Sequence, residues 1–223
     1  MSPEALASRH PRLYHVTRPH AVPSIKRHGI LPANELLTLF QVSPKQTDLI
    51  QFERRSTSVD ISHPVHGSAT LTDNAPLSTA ALSLCLDDEL RPSDWLQMLS
   101  QRVFFWVDKK SVDTHLRASI KRNDARVVLV LDTLSVFRAY YEQLELSPIN
   151  TGSTIRIPAR RGLSTFSPAH LYTYRDWQRL RGKRDRIKEI SLPSNVEDID
   201  VHMVGYYAFP HLHYKTKTVL MSD

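Results

Sequence analysis

The sequence predicts an α+β fold in which antiparallel β-sheets are flanked by helices. Two apolar runs rich in β-branched or aromatic residues, Val103 to Val107 and Arg126 to Asp132, indicate buried strands. Amphipathic segments of helical period lie between the candidate strands. The succession of strands and helices lacks the regular βαβ alternation of a parallel sheet, so we expect the strands to pair antiparallel.

The other elements follow from local signals along the chain. The stretch from Leu13 to Leu31 starts with a short apolar strand and continues into a helix from about Val22 to His28, which Gly29 closes as a left-handed cap. Further helices are predicted at Asn34 to Leu39, Ala80 to Leu86, Pro92 to Gln101, Val112 to Arg122, Leu134 to Gln143 and Arg175 to Arg181. Further strands are predicted at Ser58 to Ile61, Leu144 to Leu146, Thr154 to Ile157, Ile187 to Leu192 and His202 to Tyr207. The rest of Gln41 to Thr72 is polar, which predicts a long irregular loop. A loop of this length in a compact domain is usually functional.

Length and composition favour one cytoplasmic domain. The 223 residues are enough to bury a core without disulfides, and the single Cys85 lies in an apolar run where it reads as a small buried hydrophobe. We expect residues 1–10 to be disordered or loosely attached and residues 11–223 to form the domain. No stretch approaches the roughly 18 apolar residues of a membrane span, and no signal peptide is recognised, so no membrane partner is expected.

The distribution of charge favours a polyanionic partner. The net charge is +6, and basic residues concentrate between Arg156 and Lys188, interleaved with aromatic rings. The basic residues are Arg156, Arg160, Arg161, Arg175, Arg179, Arg181, Lys183, Arg184, Arg186 and Lys188, and the aromatic ones are Phe166, Tyr172, Tyr174 and Trp177. Cations beside rings suit single-stranded nucleic acid or a nucleotide. The alternative is a solvated helical face with its aromatics turned into the core.

Several classes of site are excluded by missing motifs. The chain has no CxxC, no HExxH and only one cysteine, so no metal site is expected. It also lacks a P-loop, a GxGxxG turn and a GxSxG elbow.

A dispersed polar set then remains. His15 and Thr17 lie on the first strand, Arg54 and Arg55 follow in the polar segment, and Glu189 sits in the otherwise apolar strand RIKEISL. A carboxylate in a strand either points to water from a one-sided sheet or lines a cleft, where it acts on a substrate hydroxyl or amine. Alternation of side chains leaves both interpretations open.

This arrangement resembles the DarT-type DNA ADP-ribosyltransferases. The resemblance rests on YHVT followed by a helix containing SI and ending in GIL, on an arginine in the following polar segment, and on a late strand of the form RxxE. It is closest to an uncharacterised DarT-related group that shares the elements TLTDNAPL, RVFFW, SPINTGST, ARRGLSTF and the helix WQRLR. It spans Leu13 to Ile199 and implies an ADP-ribosyltransferase-like fold with split antiparallel sheets.

The resemblance also implies roles for particular residues. Glu189 would be catalytic, hydrogen-bonded to the nicotinamide ribose of NAD, which is consumed as a substrate. Arg55, or otherwise Arg54, would also be catalytic, holding the pyrophosphate or helping to stabilise the transition state. His15 and Thr17 would contact the adenosine ribose, with Tyr14 and Gly29 beside the cofactor. Phe105, or its neighbour Phe104 or Trp106, would stack on nicotinamide.

The function expected on these grounds is NAD-dependent ADP-ribosylation of a nucleobase of DNA or RNA, in the manner of a toxin or defence effector with a cognate antitoxin. The alternatives are a non-catalytic nucleotide- or nucleic-acid-binding module on the same fold, and ADP-ribosylation of protein. Every version requires His15 and Glu189 to face one pocket.

Overall fold

The fold was analysed in a computed structural model that describes residues 1–120, 124–155, 157–182 and 187–209. The helices are α1 Pro3–Ala7, α2 Val22–His28, α3 Ala33–Leu39, α4 Pro44–Phe52, α5 Thr79–Cys85, α6 Pro92–Ser100, α7 Lys109–Ile120, α8 Thr133–Ala139, α9 Tyr174–Arg181 and α10 Ile199–His202. The strands are β1 Arg12–Thr17, β2 Val59–His63, β3 Gly67–Leu71, β4 Val103–Trp106, β5 Arg126–Asp132, β6 Glu145–Ser147, β7 Ser167–Pro168, β8 Glu189–Leu192 and β9 Met203–Phe209.

An antiparallel seven-stranded sheet of order β7-β6-β8-β4-β1-β5-β9 organises the molecule, and β2 and β3 form a separate hairpin. This confirms the predicted α+β class with a large antiparallel sheet flanked by helices. Strand β1 pairs with β5 along its whole length but shares only the register pair Tyr14–Trp106 with β4. The sheet is therefore nearly divided between β4 and β1.

Both faces of the sheet are covered. The main core lies on the face that carries Phe105, Leu129 and Ile190, where residues of α1, α8 and α9 also pack. On the other face α7 buries Val112 and Leu116 against Val128. A sheet covered on both sides can bury polar groups along its central strands, and this one does so at its divided centre.

The N-terminal residues differ from the prediction of a loose or disordered segment. Ser2 caps α1 by accepting a hydrogen bond from the backbone of Ala5, and Leu6 is fully buried beside α8. The amino group of Met1 donates to the carbonyl of Ala169. Burial of apolar side chains against the core thus fixes a segment whose sequence alone is short and polar.

The segment expected to be irregular contains regular structure. It forms α4, which begins with a proline at its first position, and the β2–β3 hairpin. Ile50 of α4 and Leu71 of β3 are buried together with Leu37 of α3. The strand predicted near Thr154 is absent among residues 154, 155 and 157, because the backbone N–H of Thr154 bonds to the carbonyl of Pro76 instead of a ladder partner.

Helix α2 has the predicted bounds, and Gly29 caps it with φ 79° and ψ −176°. The chain then turns, and the backbone groups of Ile30 and Val196 exchange hydrogen bonds of 2.9 and 2.8 Å. A Cβ on Gly29 would collide with the carbonyl oxygen of Val196. The glycine is required both by the positive φ and by this close backbone approach.

Candidate functional site

A cleft of about 350 Å³ opens where β1 and β4 separate. Its walls come from β1, β3, β4, β5 and β8, from α3 and α6, and from the segment after β6. The lining residues with polar or aromatic side chains include His15, Thr17, Arg55, Asp73, Asn74, Arg102, Phe104, Trp106, His115, Arg126, Asn150, Thr151 and Glu189. The structure therefore brings His15, Arg55 and Glu189, which are far apart in sequence, to one cleft.

His15 lies at the point where the two halves of the sheet part. Its Nδ1 lies 3.1 Å from the backbone carbonyl of Phe104 on β4, and its ring is tilted against Phe105 with centroids 5.9 Å apart. Since a carbonyl only accepts, Nδ1 carries the proton in this hydrogen bond. Burial lowers the pKa of His15 from its usual 6.5, and the bond to Phe104 only partly opposes that shift. The neutral ring is left with Nε2 as a hydrogen-bond acceptor.

Glu189 is a buried carboxyl at the start of β8. Its Oε2 accepts hydrogen bonds from the backbone N–H of Thr151 at 3.1 Å and from the Thr151 hydroxyl at 2.6 Å. Its Oε1 bonds to none of the residues that the structure describes. Burial raises the pKa of Glu189 from 4.5 to about 7, against the opposing effects of Thr151 and of the positive charge on Arg161. The side chain does not point to water from a one-sided sheet.

Thr151 and Arg161 support Glu189, whereas the sequence indicated no role for Thr151 and placed Arg161 only in the basic stretch. Arg161 is buried, and its guanidinium donates to the carbonyls of Thr151, Ser153 and Ala159 at 3.2, 3.0 and 3.1 Å. It thereby fixes the loop that presents the Thr151 hydroxyl to the carboxylate. The NTG and ARRG elements were visible as motifs, but no local signal indicates that they meet at Glu189.

The Glu189 carboxyl makes protein stability dependent on pH. Because its folded-state pKa of about 7 exceeds the ordinary 4.5, the folded protein holds the proton more tightly than the unfolded chain. This contribution is present below pH 4.5 and is lost as the pH rises through 7. We expect the free energy of unfolding of wild type to fall by about 3 kcal/mol, relative to that of Glu189→Gln, as the pH rises from 4.5 to 7. Urea unfolding of both proteins at a series of pH values measures it, and parallel curves would contradict it.

The two adjacent arginines occupy different places. Arg55 lines the cleft, where its guanidinium donates to the carbonyl of Ile50 and, at 3.3 Å, to the carbonyl of Thr72. Burial lowers its pKa, partly offset by Asp73. Arg54 is exposed, donates to the carbonyls of Leu77 and Ala75, and does not line the cleft. Of the two arginines, only Arg55 is therefore placed to contact a ligand in the cleft.

The other residues predicted to contact the cofactor occupy different places: Thr17 and Phe105 line the cleft, whereas Tyr14 and Gly29 do not. Tyr14 pairs with Trp106 on the face that α7 covers and, unlike Trp106, does not line the cleft. Gly29 lines a smaller cavity of about 60 Å³, which it shares with His15 and Thr17. Phe105 is fully buried in the main core, so it has no exposed ring face for stacking. Phe104 and Trp106, which alternate with it along β4, are half-exposed.

The basic and aromatic stretch is only partly available to a partner. Arg156, Lys183, Arg184 and Arg186 lie outside the described residues. Arg160 pairs with Asp87, and Arg161 is buried. Phe166 and Trp177 are buried and contacted by the guanidinium groups of Arg102 and Arg181, with distances of 4.2 and 5.4 Å to the ring centroids. These two rings cannot stack on bases, whereas Arg175 and Arg179 of α9 are exposed.

Two further observations concern the described residues alone. They contain no group of three or more His, Cys, Asp or Glu side chains placed to hold a metal ion. No helix formed by them is both long enough and apolar enough to cross a membrane.

Fold and cleft together define an α+β protein with a buried carboxyl, a neutral imidazole and arginines at the divided centre of an antiparallel sheet. Residues 11–203 match the protein family DUF7002, which is described as a family of unknown function. The chain belongs to that family. No curated protein matches the sequence.

Proposed function

We propose that the protein has an ADP-ribosyltransferase-like fold and transfers ADP-ribose from NAD to a nucleobase of DNA or RNA. The observation that carries the proposal is that His15 and Glu189, from strands on either side of β4, line one cleft. Those are the residues to which the resemblance assigns the two ends of NAD. The near division of the sheet between β4 and β1 supports the split-sheet architecture that the resemblance implies.

The electronic demands of the reaction fit the groups in the cleft. The bond between ribose C1′ and nicotinamide breaks with its electron pair leaving on nicotinamide, and C1′ bonds to a nitrogen of the base. Glu189 accepts a hydrogen bond from a ribose hydroxyl while positive charge develops at C1′. A carboxylate whose pKa is about 7 then takes the proton that the attacking amino group releases. The Nε2 atom of neutral His15 accepts a hydrogen bond from a hydroxyl of the adenosine ribose.

The direct test is label transfer by the purified full-length protein. It is incubated with NAD labelled in the adenine ring and, separately, with single-stranded DNA, RNA or total protein. Transfer to nucleic acid supports the proposal, and NAD labelled in the nicotinamide ring serves as the control because that label must be released. Transfer to protein alone would overturn the nucleic-acid acceptor. Absence of both transfer and NAD hydrolysis would overturn the enzymatic function.

Thr151→Val is expected to move the pH dependence of NAD consumption upward by about one pH unit. The valine removes the hydroxyl that donates to Oε2 at 2.6 Å, so the ionised form of Glu189 loses a charge-assisted hydrogen bond. Thr151→Ser keeps the hydroxyl and should keep the profile of wild type. Initial rates between pH 5 and about 9 make the comparison. Identical profiles for valine and threonine would show that Thr151 does not tune Glu189.

A further inference from the structure

Arg126, which lines the cleft, belongs to a cluster of charged side chains. Arg126 begins β5, and its Nη2 contacts Asp124 and lies 3.8 Å from Asp73. Arg18 pairs with Asp124 at 3.1 Å, and Asp73 also acts on the charge of Arg55. Three guanidinium groups and three carboxylates thus interact here, because Arg18 also acts on the charge of Asp60.

Arg126 also has unused hydrogen-bonding capacity. Its side chain is 1% exposed, yet Nε and Nη1 have no hydrogen-bond partner among the residues that the structure describes. Buried donors are rarely left unpaired, because the lost hydration is not replaced. Arg126 lines the same cleft as His15 and Glu189. A buried guanidinium with two unpaired N–H groups thus borders the space that a ligand enters.

Arg55 differs from Arg126 in this respect. The Nε, Nη1 and Nη2 atoms of Arg55 all donate to backbone carbonyls of Ile50 and Thr72. These bonds tie together the segment after α4 and the end of β3. Arg55 contributes charge to the cleft, but its donors already hold the protein together.

We propose that Arg126 is the anion-binding residue of the cleft and donates its unpaired N–H groups to phosphate oxygens of a nucleoside diphosphate unit. Its planar, permanently charged guanidinium suits phosphate oxygens. Asp124 contacts Nη2 and so fixes the orientation of the guanidinium, and Arg18 forms a second ion pair with Asp124. The identification of that unit as the pyrophosphate of NAD rests on the proposed function. The anion subsite itself rests on the two unpaired N–H groups of Arg126, a residue that lines the cleft.

The test compares ADP, adenosine and inorganic pyrophosphate as ligands of the full-length protein by isothermal titration calorimetry. Wild type should bind ADP about 10- to 100-fold more tightly than adenosine, with an affinity that falls as salt rises, and pyrophosphate should compete with ADP. Arg126→Gln should remove that preference, and Arg126→Lys should weaken it while keeping the charge. Arg54→Gln is the matched control, since it removes an exposed arginine charge outside the cleft.

The Arg126 variants lose contacts to a buried pair, so circular dichroism first establishes that they fold. If neither folds, the preference of wild type for ADP over adenosine decides the matter, and equal affinities overturn the subsite. Arg126-independent ADP binding also overturns it. Label transfer from NAD that is indifferent to Arg126→Lys would leave the proposed function standing without this subsite. Arg126-dependent pyrophosphate binding without transfer or hydrolysis would leave the subsite standing without the proposed function.

Discussion

Glu189→Gln is expected to abolish ADP-ribosyl transfer while the protein stays folded. Glutamine keeps the shape of the side chain and a carbonyl oxygen that accepts from Thr151, but it neither compensates developing positive charge nor takes a proton. Loss of both effects should lower the rate of NAD consumption by about 10²- to 10⁴-fold. Single-turnover assays at saturating NAD separate this loss from weaker binding.

Glu145→Gln is the matched control for this variant. Glu145 is a buried carboxylate on the neighbouring strand β6, where it accepts from Arg102 at 2.8 and 3.1 Å and from Ser191 at 2.9 Å. It does not line the cleft. Its substitution should lower the free energy of unfolding by about 2 kcal/mol, with activity per folded molecule unchanged. An active Glu189→Gln would show that Glu189 is a structural residue of the sheet.

Gly29→Ala is expected to be among the most destabilising single-methyl substitutions in the chain. At φ 79° and ψ −176° the backbone lies in a region that essentially only glycine adopts, and the added Cβ meets the carbonyl of Val196. Backbone strain and the collision together should reduce the free energy of unfolding by about 3–5 kcal/mol. Urea denaturation measures the change.

Gly182→Ala separates the two causes. Gly182 also has a positive φ, 85°, with ψ 155°, but a Cβ there meets nothing within 4 Å among the residues that the structure describes. This variant should be destabilised by backbone strain alone, which at a helix end lowers the free energy of unfolding by about 1 kcal/mol. Equal losses at the two glycines would contradict the role assigned to the contact with Val196.

The strands and helices with strong local patterns were predictable from the sequence. Strand β5 has the predicted bounds, and β4 is shorter than predicted by one residue because pairing with β8 runs only from Val103 to Trp106. Helix α4 and strand β3 were missed because their few apolar residues, Ile50 and Leu71, become meaningful only when they pack together. These two elements are stabilised by tertiary packing, which a periodic pattern in the sequence does not reveal.

The candidate site was predictable in part for a similar reason. A charged residue in an apolar strand singled out Glu189, and the same signal was present but unused at Arg126, which opens the strand RVVLVLD. The alternation argument for a solvent-facing Glu189 assumed a one-sided sheet. Strand β8 lies between β6 and β4 and is buried throughout. The support by Thr151 depends on a loop 38 residues earlier, which local sequence does not reveal.

The position of β1 in the sheet has a consequence for the order of folding. This strand is near the N-terminus but lies between β4 and β5, so its pairing must wait until residues as far as Asp132 are available. Glu189 joins the cleft only when β8 pairs with β4. Closing such long loops is slow, because its entropic cost is offset only when the strands of the sheet have paired. A growing or partly unfolded chain therefore has no assembled cleft, and ligand binding reports on the completed fold.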